Sequence, residues 1–226
     1  MRIACLLIVL LIAGCVTIPA QWRQALNRLS GELQTHQVYV GDPVFMRVFK
    51  EENILELWMK GEKSHQYTLV KTYPICKWSG ALGPKFREGD LQSPEGFYST
   101  NSQNLNPNSK YHLSFNVQYP NVYDRLHKRT GSFLMVHGDC VSEGCYAMSD
   151  PMIEEIYVLT ERALDAGQLD VPVHIFPFKM TSERMAAEIG SSHFDFWMNL
   201  KTGYDYFEQY GFPPRWEIVN RKYDFY

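Results

Sequence analysis

Two rhythms of hydrophobic and polar positions divide this chain. From Val44 onward the short rhythm dominates. Val44-Phe45-Met46-Arg47-Val48-Phe49 and Ile54-Leu55-Glu56-Leu57-Trp58-Met59 flank the polar Lys50-Glu51-Glu52-Asn53, which predicts strand, turn and strand. Tyr67 to Tyr73 predicts a third strand, ended by Pro74. With no helix between them, these strands argue for an antiparallel sheet rather than βαβ units. Further strands are expected at Phe97–Thr100, at 111–117, at 132–136 and at Val171–Phe176. In 111–117, Tyr111, Leu113, Phe115 and Val117 share one face and His112 takes the other. Pro172 marks its strand as an edge, and His174, out of phase with Val173 and Ile175, reads as a surface residue rather than a ligand. Trp216 to Tyr226 reads as a terminal strand.

The longer rhythm marks helices. Trp22, Leu26, Leu29 and Leu33 fall on one face of 22–34, an amphipathic helix more simply docked on the body than held out as a spacer. Pro151 opens a second helix carrying Met152, Ile156, Leu159, Ala163 and Leu164, with Glu154 and Glu155 in its first turn and Gly167 as its stop. Residues 181–210 are helical in character, with one short helix at Thr181 and another from Phe194 that breaks at Gly203. Gly211, Pro213 and Pro214 end this tail.

The first residues stand apart from both rhythms. Arg2 and the apolar run Ile3 to Ile12 have the form of a secretory signal, too short to span a bilayer. Leu11-Ile12-Ala13-Gly14-Cys15 resembles a bacterial lipoprotein box, which implies cleavage before Cys15 and lipidation of its thiol. Val16, where an Asp is absent, favours the outer membrane. The expectation is a periplasmic protein anchored by lipid alone. The chain then divides into a signal at 1–14, an anchor linker with its helix at 15–42, a body at 43–178 and an extension at 179–226.

Composition narrows the function. With 22 basic and 25 acidic residues among 226, the net charge of −3 is no footprint for nucleic acid. The 14 Tyr, 13 Phe and 5 Trp serve a core first and an aromatic-lined groove second. The Gly-rich segment 79–96 lacks a Gly-x-Gly-x-x-Gly arrangement and reads as a long surface loop, in which Lys85 and Arg87 could meet a carboxylate. Zinc spacing and a Gly-x-Ser-x-Gly elbow are absent, and no pair of carboxylates singles itself out. No cofactor or metal is expected.

One stretch carries chemistry: Val136-His137-Gly138-Asp139-Cys140-Val141-Ser142-Glu143-Gly144-Cys145-Tyr146-Ala147-Met148. A strand delivers a base, and a loop delivers a thiol that needs one. His137-Gly138 with Ser142-x-Gly144-Cys145 resembles the signature of the L,D-transpeptidase (YkuD-type) catalytic domain. Leu82-Gly83-Pro84-Lys85 and Ser93-Pro94-Glu95-Gly96-Phe97-Tyr98 extend the resemblance. Ile75-Cys76-Lys77, Gly89-Asp90 and Gly203-Tyr204-Asp205-Tyr206-Phe207-Glu208 bring it closest to the YafK-like branch, over roughly residues 43–210.

The resemblance implies a mainly β fold: a sandwich or mixed sheet, a helix after the catalytic Cys and a helical C-terminal extension. It implies Cys145 as nucleophile and His137 as general base, with Gly138 backbone or Ser142 orienting the imidazole. Backbone N–H groups of Gly144, Cys145 and Tyr146 would form the oxyanion hole, and Lys85, Gly96, Phe97 and Tyr98 would bind substrate. The implied partners are peptidoglycan stem peptides and a peptidoglycan-linked lipoprotein. Two departures bear on the reaction. Glu143 stands where the family has a second His, and Ala147 where it has Arg or Asn. They make pure crosslinking less secure, and the resemblance to the YafK-like branch implies hydrolysis of the diaminopimelate–lysine amide joining lipoprotein to peptidoglycan; L,D-transpeptidation that crosslinks peptidoglycan or attaches lipoprotein to it is the alternative. Export also bears on the thiols. After loss of Cys5 and lipidation of Cys15, Cys76, Cys140 and Cys145 remain, an odd number in an oxidising compartment. A Cys76–Cys140 bridge that leaves Cys145 free is expected; three free thiols is the alternative.

Overall fold

The computed structural model describes residues 20–226. The signal sequence, the lipoprotein box and Cys15 lie outside the described residues. Helix α1 (Ala20–Thr35) leads into strands β1 (Val44–Phe49), β2 (Ile54–Met59) and β3 (Thr68–Pro74). After the Gly-rich segment come β4 (Gly96–Thr100), β5 (Leu105–Asn106), β6 (Ser114–Asn116), the short helix α2 (Val122–Leu126), β7 (Met135–His137) and β8 (Tyr146–Ala147). Then follow α3 (Asp150–Asp165), β9 (Val171–Phe176), α4 (Ser182–Ala186), α5 (Phe194–Tyr210), β10 (Trp216–Val219) and β11 (Lys222–Phe225).

The strands form three sheets: β3-β2-β1-β9-β4, β5-β6-β7-β8, and the hairpin β10-β11. The hairpin replaces the single terminal strand expected from the sequence. Its turn residues Asn220 and Arg221 both adopt left-handed backbone, as a two-residue hairpin requires. The architecture is mixed α/β rather than mainly β. Three helices of 16, 16 and 17 residues cover the large sheet.

All six residues of β1 are buried, because the sheet is covered on both faces. Val44, Met46 and Val48 join a core with α1, α3 and the small sheet. Phe45 stacks on Phe207 of α5 from the opposite face, and Phe49 packs with Trp197, Leu200 and Tyr204. Helix α1 docks by Trp22, Ala25, Leu29 and Leu33, with Trp22 5.5 Å from the Tyr157 ring of α3. Among the described residues no helix is long and apolar enough to cross a membrane.

Several expectations change here. Strand β9 is interior, not an edge: it runs parallel to β1 and antiparallel to β4. Pro172 is tolerated because the β1 register begins one residue later, at Met46↔Val173. The Gln168 side chain occupies the gap, accepting from the Val44 amide and donating to the Val44 carbonyl at 2.8 Å each. His174 is consequently buried rather than superficial, its ring edge-on to Phe45 and Phe97. Helix α5 runs unbroken through Gly203. A Cβ there would meet Phe97 and Phe225 at 2.6 Å, so this glycine admits the terminal hairpin to the helix surface. The expected strand 111–117 shrinks to Ser114–Asn116, since His112 turns left-handed at φ 67°.

The Gly-rich segment is not a free surface loop. Lys50, at the end of β1, is fully buried beneath it. Its Nζ donates to the carbonyls of Ala81, Gly83 and Ser93 and to Glu95 Oε1, all at 2.9–3.0 Å. Glu95 in turn accepts from the Gly83 amide and the Trp197 indole. One buried ion pair thereby fastens both ends of the segment to the sheet and to α5.

Candidate active site

Sheet pairing brings the base and the thiol to one place. Strand β7 ends at His137 and pairs in parallel with β8 through Val136↔Tyr146 and His137↔Ala147. Cys145 immediately precedes β8. Side chains alternate along strands, so Cys145 and Ala147 share the face on which His137 stands. The loop between them turns tightly through left-handed backbone at Asp139, Cys140 and Gly144.

His137 is buried, and Tyr111 lies against its ring at 4.8 Å. Its Nδ1 sits 2.6 Å from the Gly138 carbonyl, which can only accept. Nδ1 therefore carries the proton, and Nε2 is left as an acceptor. Of the two orienters expected for the imidazole, this contact belongs to Gly138. Ser142 instead donates to the Cys145 carbonyl at 2.7 Å, and Ser93 supports the same oxygen at 3.2 Å. Gly138 is held by its amide, which donates to Tyr111 and Leu113. A Cβ at Gly138 would lie 2.6 Å from Asp150 Oδ1, so the position excludes any side chain. Asp150, the first residue of α3, also accepts from the Asp139 amide at 2.9 Å.

Cys145 is half-buried and is the free thiol among the described residues. Cys76 and Cys140 are joined in a disulfide. Segment 76–77 lies along β8, where Lys77 pairs with Ala147 and the Cys76 amide donates to the Ala147 carbonyl at 2.8 Å. Backbone pairing therefore sets Cys76 beside the loop that carries Cys140. The Cys145 thiol lies 3.6 Å from the Phe133 carbonyl, to which it donates. Burial raises its pKa, while the Met135 amide and the Lys85 charge oppose that rise. Burial lowers the pKa of His137. Both shifts favour a neutral thiol beside a neutral imidazole in the free protein. The pair can pass a proton once a substrate carbonyl arrives, without a standing thiolate–imidazolium pair.

The amides of Gly144 and Cys145 find no acceptor among the described residues, while Tyr146 is drawn into the β8 ladder and its hydroxyl donates to Pro94 at 2.7 Å. Gly144, at φ 117°, holds a backbone conformation that favours glycine. Lys85 is buried, bonded to Asp90 and to the Arg87 carbonyl, and its charge is felt at Cys145. Gly96, Phe97 and Tyr98 are enclosed. Phe97 meets the His174 and Tyr223 rings edge-on, and the Tyr98 hydroxyl lies within hydrogen-bond reach of Asp124 and of the Glu95 carbonyl. They shape the scaffold behind the site. Tyr111, Ser93 and Asp150 contact the site residues and were not expected from the sequence. Asp150 carried a signal as the acid just before Pro151, and Ser93 as the first residue of the stretch 93–98.

No family model matches the chain. Two curated relatives do. "Putative L,D-transpeptidase YafK" of Escherichia coli strain K12 is 44% identical over 223 residues, covering 99% of this chain and 90% of that protein. The protein of the same description from Escherichia coli O157:H7 matches equally. Among solved structures, a mutant of the helical cell shape determining protein Pgp2 from Campylobacter jejuni is similar at a TM-score of 0.49 and 19% identity. It covers 82% of this chain and 64% of that one, a likeness too loose to argue from. Identity of 44% across nearly the full length, with the His137-to-Cys145 stretch inside it, decides the relationship: the chain belongs to the L,D-transpeptidase (YkuD-type) family, in its YafK-like branch, and is a cysteine enzyme.

Proposed function

We propose that this chain hydrolyses the diaminopimelate–lysine amide that ties a lipoprotein to peptidoglycan in the bacterial envelope. The observation that carries the proposal is the free, half-buried Cys145 beside an imidazole whose Nδ1 proton is committed to Gly138. In this reading the thiol turns from the Phe133 carbonyl toward His137. As Sγ attacks the substrate carbonyl, Nε2 takes the thiol proton. The oxyanion of the tetrahedral intermediate meets the amides of Gly144 and Cys145. The C–N bond breaks, the leaving amine takes the proton from Nε2, and a thioester remains on Cys145. Water then attacks the thioester, giving up a proton to His137; the C–S bond breaks, the acid leaves, and Cys145 Sγ takes the proton back from Nε2.

The same thioester could pass to a second amine, which is the transpeptidation reading. Residues 143 and 147 favour water. Glu143 is exposed and anionic where the family offers an imidazole, and Ala147 is buried in the ladder with no polar group to guide an amine. The chain reaches its substrate as an extracytoplasmic protein, anchored at Cys15, with the body at 43–178 and an extension at 179–226. Lys85 acts from behind the thiol as a fixed positive charge.

Incubation with lipoprotein-bearing sacculi and, separately, with tetrapeptide muropeptides tests the proposal. Release of lipoprotein is expected, and Cys145→Ala abolishes it. Crosslinked dimers without release would favour the transferase. No product from either substrate, with Cys145 reduced and open to alkylation, would overturn both readings.

A further inference from the structure

A cavity of about 450 Å³ opens between the Gly-rich segment, α2, the start of α5 and the terminal hairpin. It includes neither Cys145 nor His137. At its wall Arg129 is 93% buried, with 7% of its surface exposed. The guanidinium lies among three rings, 4.7 Å from Phe196, 5.2 Å from Tyr123 and 5.5 Å from Phe86. Nη1 donates to Asp124 at 2.9 Å. Nε is buried with no partner, and Nη2 makes no hydrogen bond among the described residues. A guanidinium uses its donors in pairs toward planar oxyanions, and here one donor pair is unspent.

Two independent features of the same cavity favour negative charge. The 17-residue helix α5 begins on its wall, its N-cap His193 provides no side-chain cap, and the amides of Asp195 and Phe196 have no acceptor among the described residues. The positive end of that helix therefore faces the cavity. At the rim Arg221 and Lys222 are exposed without ion-pair partners among the described residues, against the single rim acid Asp195.

From this we infer a second binding site that takes the carboxylate of a peptide, with Arg129 as its anchor and Phe86 and Phe196 as apolar walls. Phe86 follows Lys85, and the Phe86 carbonyl accepts from the Thr130 amide. Three residues on, Phe133 receives the Cys145 thiol. Segment 130–133 thus connects Phe86 on the cavity wall to the carbonyl that accepts from the Cys145 thiol. Identifying the peptide as a stem peptide rests on the proposed function; the carboxylate site does not.

The test is an NMR titration of the intact protein, reading the Arg129 Nε–H resonance. The probes are N-acetyl-Ala-Glu-amide, its uncharged counterpart N-acetyl-Ala-Gln-amide, and inorganic phosphate. The Glu peptide is expected to shift the resonance saturably, and the Gln peptide not to. Arg221→Glu with Lys222→Glu, both exposed and remote from the core, is expected to weaken binding about tenfold. Arg129→Gln, read on the Asp195 and Phe196 amides in place of the lost resonance, is expected to abolish it, and the rim variant keeps the test decisive if that protein fails to fold. Equal shifts from Glu and Gln peptides, unchanged affinity in the rim variant, or a response to phosphate alone would each overturn the inference. Binding without turnover of sacculi would leave the site standing and count against the proposed reaction instead.

Discussion

Replacing Lys50 with Met is the most searching perturbation of this fold. The substitution keeps the apolar stem and removes only the ammonium. Three backbone carbonyls and the Glu95 carboxylate then lose their shared donor at a site with no exposure. Breaking a buried pair by removing one partner costs about 3–5 kcal/mol, because the remaining charge stays buried. For a chain of this size that corresponds to a melting temperature lower by roughly 6–20 °C. Glu95 keeps two donors, the Gly83 amide and the Trp197 indole, which places the cost nearer the lower bound. Adding Glu95→Gln removes the stranded charge while retaining an acceptor, so the double variant should recover part of the loss. Urea unfolding of the parent, both single variants and the double variant closes a thermodynamic cycle, with Lys201→Ala, which breaks the surface pair with Asp205 on α5, as a control costing under about 1 kcal/mol. A Lys50→Met loss no larger than that control would refute the reasoning, since the pair would then not be fastening the segment.

Three further expectations follow from the site and the core. Alkylation of Cys145 by iodoacetamide should inflect above the ordinary thiol pKa of about 8.5, because burial outweighs Lys85 and the Met135 amide; an inflection near 7 would mean a standing thiolate. The Cys76→Ser and Cys140→Ser pair opens a 64-residue loop, worth about 4 kcal/mol by the chain-entropy relation, and should slow turnover by loosening the loop between His137 and Cys145. Unfolding and rate measurements check it, and unchanged values in both would contradict it. Burial between aromatic rings pushes His174 down to about 3, so the unfolded chain alone takes this proton as pH falls below about 6.5. The parent should lose about 1.4 kcal/mol per pH unit there from this group, and His174→Gln should flatten that slope; parallel slopes in parent and variant would sink the assignment.

The parts of the fold legible in the sequence are those written in local rhythm. β1, β2 and β3 lie where alternation put them, and α1, α3 and α5 follow their apolar stripes. Non-local partners were not legible. Pro172 suggested an edge strand because a missing N–H is a local fact, whereas the Gln168 side chain that fills the gap in β1 is a tertiary one. His174 looked polar, and only the closure of both sheet faces buried it. Gly203 looked like a helix break, and the approach of Phe225 gave it another purpose. In the site, His137, Gly138, Gly144 and Cys145 were visible as residue types in a stretch. Asp150, Tyr111 and Ser93 were not, because their roles depend on which carbonyl or amide the fold presents to them.

The two residues that depart from the pattern the resemblance implies, Glu143 and Ala147, flank Cys145 in one tightly held stretch. A short loop from His137 to Cys145 is held at three points: the disulfide at Cys140, the Cys140 amide on the Met148 carbonyl, and Asp150 on the Asp139 amide. Segment 76–77 completes the ladder on the far side of β8, so Ala147 lies between His137 and Lys77 with no exposed surface. With no exposed surface at 147, a long polar side chain there would need the packing around β8 to open. Segment 76–77, which brings Cys76 within reach of Cys140, is also the segment that closes the ladder beside Ala147. Glu143 stands exposed between the bonded Cys140 and the free Cys145, in the loop that the disulfide ties to segment 76–77.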